Sequence, residues 1–364
     1  MSKEKEILKL IQMNPFISQQ EIADQVDLSR PAVANYIKRL IDQGEIIGRA
    51  YVLNEKNSIT CIGGANIDRK ALSKQKVKLG SSNPVYTEET LGGVARNVAE
   101  NLTRLGIHTK LLSFVGQDRE GQSMIEASKQ LGIDMSLTTI IPDERTGTYT
   151  ALLDPNGEMI VSLADMDIYE KITVGMIEAR WQQITTSKAI FVDTNISEEA
   201  LHFIIEKSTS NDAFLFVDPV SSAKASKLPS DLTSVHTILP NKEEAEILSG
   251  ISIETEDDYI HAATEIQKRG VSNVVITLGA DGIFYKTKDD SGILSPIATN
   301  VVDVTGAGDA FAASLIYGIV EGLSFVEACQ YGLAGSSLTL QSKQSVSNDM
   351  SVEKIKQIVK EFNI

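Results

Sequence analysis

Apolar positions in the first fifty residues recur at helical spacing. Ile7, Leu8, Leu10 and Ile11 form one face, and that helix stops before Pro15. Ser18 opens a second helix, SQQEIADQV, with Glu21 three residues on, the spacing of a capping box. Asp27-Leu28-Ser29 makes a short turn. A third helix, RPAVANYIKRLIDQG, follows with Ser29 as N-cap and Pro31 in its first turn. Val33, Ile37, Leu40 and Ile41 line its apolar face and Gly44 ends it. EIIGRAYVL then alternates about Gly48 as a small hairpin. From about Asn57 the pattern changes. Short apolar runs appear (SITCIGGAN, AIFVDT, AFLFVDP, HTILPN, NVVITLG), separated by segments of helical period such as VARNVAENLTRLG and EEAEILSG. Strands alternating with helices predict a parallel sheet covered on both faces. One stretch departs from this. In TGTYTALLDPNGEMIVSLAD two alternating runs flank Asp154-Pro155-Asn156-Gly157, a hairpin turn, which predicts an antiparallel lid. The pattern therefore predicts a small helical domain over 1–56 and an α/β domain over 57–364.

The composition is that of a globular chain: 364 residues, 42% hydrophobic and 23% charged. The net charge is −15. Residues 1–56 hold eight basic and eight acidic side chains, so the whole deficit falls on the remainder. A chain this acidic is no general binder of polyanions or membranes. The neutral N-terminal module has modest non-specific affinity for DNA and would need a dimer to bind it well. Cys61 and Cys329 form no CxxC, and His108, His202, His236 and His261 are scattered. Neither a zinc site nor a disulfide framework is expected, and a reducing cytoplasm fits. MSKEKEILKLIQ interleaves charges with apolar residues and lacks the core of a signal peptide. The longest apolar-rich run, Ala310 to Val320, is too short to span a bilayer.

Three short helices, a tight turn between the second and third, and a hairpin resemble the small winged helix-turn-helix domains of bacterial transcription regulators. The resemblance implies that the third helix enters the major groove, with Arg30, Asn35, Tyr36, Lys38 and Arg39 as contacts. A helical docking module that never meets DNA is the other reading.

The sharpest chemical signal is VVDVTGAGDAFAASLIYG. Gly306-Ala307-Gly308 precedes a helical run, and glycines there let backbone N–H groups approach an anion at the helix start. A carboxylate beside such a cradle repels phosphate unless its task is to take a proton from an attacking hydroxyl, and Asp309 occupies that place. A glycine turn with Asp309 as a plain N-cap is the competing reading.

D-x-T-G-A-G-D-x-F resembles the C-terminal signature of the ribokinase-like (PfkB) sugar and nucleoside kinases. GGANIDRK resembles their first strand and sugar-binding loop, and LGGVARNVAENLTRLG their N-terminal glycine signature. Asn241-Lys242-Glu243-Glu244 fits their N-x-x-E motif, and TLGADG fits their nucleotide-side turn. These five motifs stand in the family's order from about residue 58 to the end. The resemblance implies a ribokinase-like α/β fold with a central, mostly parallel sheet, flanking helices and a small β lid, and ATP-dependent phosphoryl transfer to an alcohol. It implies Asp309 as the base and Gly306, Ala307 and Gly308 as the anion hole. Asn241 and Glu244 would organise Mg²⁺ and phosphate through water, although a helix start alone would also explain them. Asp303 and Thr305 would border a monovalent-cation loop, if K⁺ activates this member. Thr277, Gly279 and Gly282 would face ATP. Asn66, Asp68, Gly92, Gly93 and Asn97 would bind sugar, and Thr148 and Tyr149 would close over it; for Asn97 the plain reading is a helix-surface residue.

GGVARN, with Arg96 inside, and Ser82-Asn83-Pro84 upstream resemble the pseudouridine kinases of that family. This implies the 5′-hydroxyl of pseudouridine as acceptor, with Ser82 and Asn83 able to read a uracil edge or simply to make a turn. Ribose, another sugar or an N-linked nucleoside remains a competing acceptor. A sugar-sensing transcription regulator remains a competing function. Lids of this family often form dimer contacts and DNA readers use two-fold symmetry, so a homodimer is expected.

Overall fold

The computed structural model describes residues 3–14, 17–42, 46, 58–210 and 212–362. The hairpin expected around Gly48 lies outside them. The chain divides into two units, residues 1–55 with 175–186, and residues 56–174 with 187–364.

In the first unit the three expected helices form, Lys3–Met13, Gln19–Val26 and Arg30–Asp42. The capping box is present: Glu21 N donates to Ser18 Oγ (3.1 Å) and Ser18 N to Glu21 Oε2 (2.7 Å). Ile7, Ile22, Ala23, Val26, Val33, Ile37 and Leu40 make its core. Ile41, expected on that face, is exposed instead, because one apolar stripe of a short helix suffices for two neighbours. Arg30, Asn35, Lys38 and Arg39 are exposed. The Arg39 guanidinium lies 4.6 Å from the centre of the Tyr36 ring and pairs with Glu4 at 3.5 Å.

The second unit is built on an eight-stranded sheet. Across it run Ser291–Leu294, Ile283–Lys286, Asn273–Thr277, Val235–Ile238, Phe214–Asp218, Ala189–Asp193, Ser58–Ile62 and His108–Leu112. The last six are mutually parallel and the first two form an antiparallel edge. All five apolar runs read from the sequence are strands of this sheet. Ser58–Ile62 and Ala189–Asp193 are buried at every residue, as strands covered on both faces must be. Their carboxyl ends form one rim, where the next residues are free to carry chemistry. Helices Ala307–Val320 and Phe325–Leu340 pack against each other through small residues. A Cβ on Gly335 would stand 2.1 Å from Ser314 Oγ and 2.9 Å from the Ala310 carbonyl.

The lid is larger than the expected hairpin. Thr148–Leu153 and Met159–Asp165 are joined by Asn66–Ser73 and Val85–Gly92 in a four-stranded sheet. Asp154 Oδ1 closes its turn by accepting from Asn156 N (2.8 Å) and Glu158 N (2.9 Å). The two extra strands carry Asp68, Arg69, Lys70, Glu88 and Glu89, and this charge hides a strand from a hydrophobic pattern. No helix among the described residues is long and apolar enough to cross a membrane.

Gly335→Ala should force the two C-terminal helices apart. We expect a loss of about 1–3 kcal/mol, read as a lower urea midpoint with an unchanged slope.

Candidate active site

The site grows from the rim outward. After the first strand the chain turns through Gly63-Gly64-Ala65. Gly63 has φ +146°, and a Cβ there would lie 2.2 Å from the Asp193 carboxylate. Asp193, fully buried at the end of the neighbouring strand, accepts from Gly64 N, Ala95 N and Asn195 N, each at 2.9 Å. Burial raises its pKa and these N–H groups lower it; burial prevails. The buried Tyr169 hydroxyl donates to the Ala65 carbonyl and accepts from Ala65 N (2.9 Å). The turn is thus held from two sides.

It delivers Asn66 and Asp68 onto one face of the lid strand Asn66–Ser73. Asn66 Nδ2 donates to Asp68 Oδ1 at 2.6 Å. Gly92 stands opposite Asn66 in the adjacent strand. A Cβ on Gly92 would fall 2.2 Å from Asp68 Oδ2, so only glycine lets this carboxylate lie there. Burial pushes the Asp68 carboxyl up, partly offset by Asn66, Lys70 and Arg96.

Gly93, at φ +98°, starts the helix Val94–Arg104. Asn97 is not a surface residue of that helix; it is buried. Its Oδ1 accepts from Arg96 Nη1 (3.1 Å) and its Nδ2 donates to Asp309 Oδ2 (2.8 Å). Arg96 is itself buried and ion-paired with Glu100. An amide whose oxygen faces a guanidinium must turn its NH₂ to the carboxylate.

Asp309 is the third residue of helix Ala307–Val320, not its cap. Gly306 caps that helix at φ +81° with no side-chain bond. A Cβ on Gly306 would stand 1.9 Å from the Ser345 carbonyl. Gly308 differs: its Cβ position meets no described atom within 4 Å and faces a cleft of about 330 Å³. Thr277, Gly279, Gly282, Val301 and Val304 also line that cleft. Ala307 N donates to the Val304 carbonyl (3.3 Å), and the amides that follow, of Gly308 and Asp309, have no carbonyl of their own helix to bond and suit an anion. Burial pushes the Asp309 carboxyl up to about 7; Asn97 and Arg96 oppose this, while Asp193 and Asp68 add to it. A half-buried carboxyl titrating near neutrality beside an anion cradle can accept the proton of an alcohol.

Asn241 and Glu244 form a capping box on helix Lys242–Ser249. Glu244 N donates to Asn241 Oδ1 (2.9 Å), and Asn241 N and Nδ2 donate to Glu244 Oε2 (2.9 Å) and Oε1 (2.8 Å). The helix-start reading of this pair is realised, and each Glu244 oxygen retains a free lone pair. Asp218, which the sequence reading passed over, ends the neighbouring strand. Burial first, then the Glu244 and Asp309 charges, push it well above the carboxylate range. Among the described residues no cluster of three or more His, Cys, Asp or Glu could hold a metal alone. A divalent ion would need waters and a ligand's oxygens, which suits Mg²⁺.

Asp303 and Thr305 were expected beside a monovalent cation. Asp303 Oδ1 accepts from Thr305 N (2.9 Å) and Oγ1 (2.7 Å), and Oδ2 accepts from Lys70 Nζ (2.5 Å). The cation on this carboxylate is thus the chain's own lysine. Against the burial that raises it, Lys70 and Thr305 hold Asp303 below its ordinary range. Thr148 is half-buried beside Ile67, and Tyr149 pairs with Asp68. Ser82 and Asn83 do not join the site. They lie beyond the far end of an eight-residue strand, about 23 Å along it. There Asn83 Oδ1 accepts from Lys78 N (2.8 Å), and Nδ2 donates to the Lys78 and Ser81 carbonyls (3.0 Å each). The turn reading holds for them, because the amide is consumed by its own loop.

Among known proteins, residues 56–351 match the pfkB family carbohydrate kinase model, and residues 2–46 match a winged helix-turn-helix DNA-binding model. A pseudouridine kinase of Escherichia coli K12 is 38% identical over 308 residues, 84% of this chain and 98% of its own. An uncharacterised sugar kinase of the same organism is 30% identical over 342 residues, 94% of both chains. A carbohydrate kinase structure from Agrobacterium tumefaciens superposes with TM-score 0.73 at 31% identity, covering 84% of this chain and 97% of that one. Arabidopsis thaliana ribokinase, complexed with ribose and ATP, shares the fold at TM-score 0.70 and 21% identity, covering 84% and 99%.

The Asp309 carboxyl has a pKa raised from 3.8 to about 7 on folding. Between those values the folded chain binds more protons than the unfolded, so this group's contribution to stability falls as pH rises through the window. Asp309→Asn should therefore raise Tm by roughly a few degrees at pH 8 and by much less at pH 5. Calorimetry at the two pH values checks this.

Proposed function

Because this chain belongs to the pfkB family of carbohydrate kinases, with a ribokinase-like α/β fold and an N-terminal winged helix-turn-helix segment, we propose that it is an ATP-dependent pseudouridine kinase. The acceptor would be the 5′-hydroxyl. The observation that carries this reading is the Asn97–Asp309 contact at 2.8 Å, which holds a near-neutral carboxyl between the sugar-side pair Asn66–Asp68 and the open start of the helix.

Asp68, an acceptor-only group when ionised, takes hydrogen bonds from vicinal ribose hydroxyls, and Asn66 fixes its rotamer. Gly92 makes room for the Asp68 carboxylate and Gly93 for the Gly64–Ala65 backbone. Asp309 accepts the proton of the primary hydroxyl as the hydroxyl oxygen bonds the γ-phosphorus and the bond from that phosphorus to the departing ADP breaks. The amides of Gly306, Ala307 and Gly308 steady the charge that develops on the transferring group. Thr277, Gly279 and Gly282 border the cleft for the nucleotide, where the open space at Gly308 admits phosphate. Glu244, with Asn241 fixing its orientation, would hold Mg²⁺ through water, and that ion supplies charge neutralisation on the triphosphate. Most of the work is alignment. Pseudouridine is favoured over ribose by the GGVARN element and by similarity along almost the whole length of the Escherichia coli pseudouridine kinase.

A panel of pseudouridine, uridine, adenosine, ribose and fructose should give ATP consumption with a clear preference for pseudouridine. A preference for ribose would overturn the substrate. Asp309→Asn should retain nucleoside binding and lose at least ~10²-fold in kcat. For the native enzyme kcat/KM should climb as pH passes about 7 and level above it, because the base must be ionised.

A second activity is favoured by the N-terminal module, where Arg30, Asn35, Lys38 and Arg39 share exposure on the third helix. The module would read DNA, making the protein a kinase that also regulates genes. Purified protein should shift a fragment from upstream of its own gene, and Lys38→Ala should weaken that shift. Binding no tighter than to unrelated DNA would remove this activity.

A further inference from the structure

Lys70 has no part in the site as described so far, yet it stands where that site lacks charge. It continues the face of the lid strand that presents Asn66 and Asp68, at the next alternate position. Its Nζ reaches out of the lid to Asp303 Oδ2 at 2.5 Å and to Thr305 Oγ1 at 3.5 Å. Thr305 directly precedes Gly306, the cap of the helix whose first amides await an anion. The ammonium is therefore one residue from the anion cradle.

The charge around that cradle is one-sided. Burial pushes up Asp68, Asp193, Asp218, Glu244 and Asp309, and the charges of other carboxyls of this set add to the rise at Asp218 and Asp309. A triphosphate entering this space needs cations. Arg96 is buried and committed to Glu100, to the Leu91 carbonyl and to Asn97. Lys70 is different: its side chain is 34% exposed. An ammonium has three donors, and Asp303 and Thr305 take two. A flexible stem and a compact charge let it follow a moving phosphoryl group, which the rigid fork of an arginine would not do as well.

We propose that Lys70 is a catalytic residue, its ammonium bonding the γ-phosphoryl oxygens and the transferring group, and that Asp303 is the positioning residue that aims it. Entry of the triphosphate gives Nζ a third partner, which strengthens the lid–body contact that Lys70 and Asp303 already make. This rests on the kinase reading of the same cleft, but not on the identity of the acceptor.

The test is calorimetric binding of ATP, of ADP, and of ADP with aluminium fluoride, a mimic of the transferring group, to the full-length protein. Lys70→Met should raise Kd for ATP and for the fluoride complex by roughly 10- to 100-fold and change ADP by less than about 2-fold. Lys70→Arg should recover part of the loss. Asp303→Asn should weaken ATP in the same sense but less. Equal losses for ATP and ADP, or no loss for either, would overturn the proposal and leave Lys70–Asp303 a surface ion pair between lid and body. Thermal melting of each variant separates a folding defect from a binding defect: a Lys70→Met chain that melts normally and binds ADP normally is a fair test. If native protein ignores pseudouridine while Lys70→Met still loses ATP selectively, the acceptor is wrong and the role of Lys70 stands.

Discussion

One buried carboxylate holds the working end of the molecule together. Asp193 lies at zero exposure and takes three main-chain N–H groups, from Gly64, Ala95 and Asn195. These belong to the turn after the first strand, the first turn of helix Val94–Arg104, and the strand end itself. A lone carboxylate in a sheet interior would be costly, and three donors offset that cost. The relative positions of Asn66, Asp68 and Asn97 follow, because each lies within four residues of one of those bonded amides. Glycine is required wherever this packing is tightest, at Gly63 against the carboxylate and at Gly93 against the Gly64 backbone.

The same crowding of acids sets the chemistry. A site for a phosphate donor is ringed by carboxyls, which is unfavourable for binding and favourable for proton abstraction. Burial raises the proton affinity of Asp309 to near neutrality, where a base is both ionised enough and basic enough to act. Arg96 keeps this from going further. It lies beneath Asn97, paired with Glu100, and its electrostatic pull and its hold on the Asn97 oxygen both favour the charged form of Asp309. On the proposed kinase reading, the remaining negative charge would be met at the moment of binding by a metal ion carried on the nucleotide and by Lys70 of the lid.

The lid links the two halves of this balance. Its strand Asn66–Ser73 carries sugar-side groups on the face that also carries Lys70. Arg69, on the opposite face, reaches Glu89 at 2.9 Å and Glu120 at 2.8 Å. Partly exposed pairs of this kind are worth little in stability, whereas the main sheet has strands buried along their whole length.

Local order was legible in the sequence wherever one residue's neighbours along the chain decide its state. The capping boxes at Ser18 and Asn241, the turn at Asp154 and the five core strands all depend on contacts a few residues apart or on simple periodicity. The glycine-rich motifs pointed to candidate site residues through their resemblance to a known family, and spacing alone left a plain turn open. The lid strands around Lys70 and Glu89 were hidden because charged residues on both faces erase the period-two signal. Asn83 showed turn chemistry and potential base contact equally, and only the hairpin's length decided between them. Asp193, Asp218 and Lys70 could not have been singled out at all. Their importance comes from partners found 24 to 233 positions away (Asp218 with Thr194, Asp193 with Gly64 and Ala95, Lys70 with Asp303). Sequence thus determined the elements and the order of motifs, and pointed to the carboxyl proposed as the base. Tertiary structure alone decided which carboxyls share one low-dielectric space, and so which of them holds its proton at neutral pH, because that energy depends on distance in space and not along the chain.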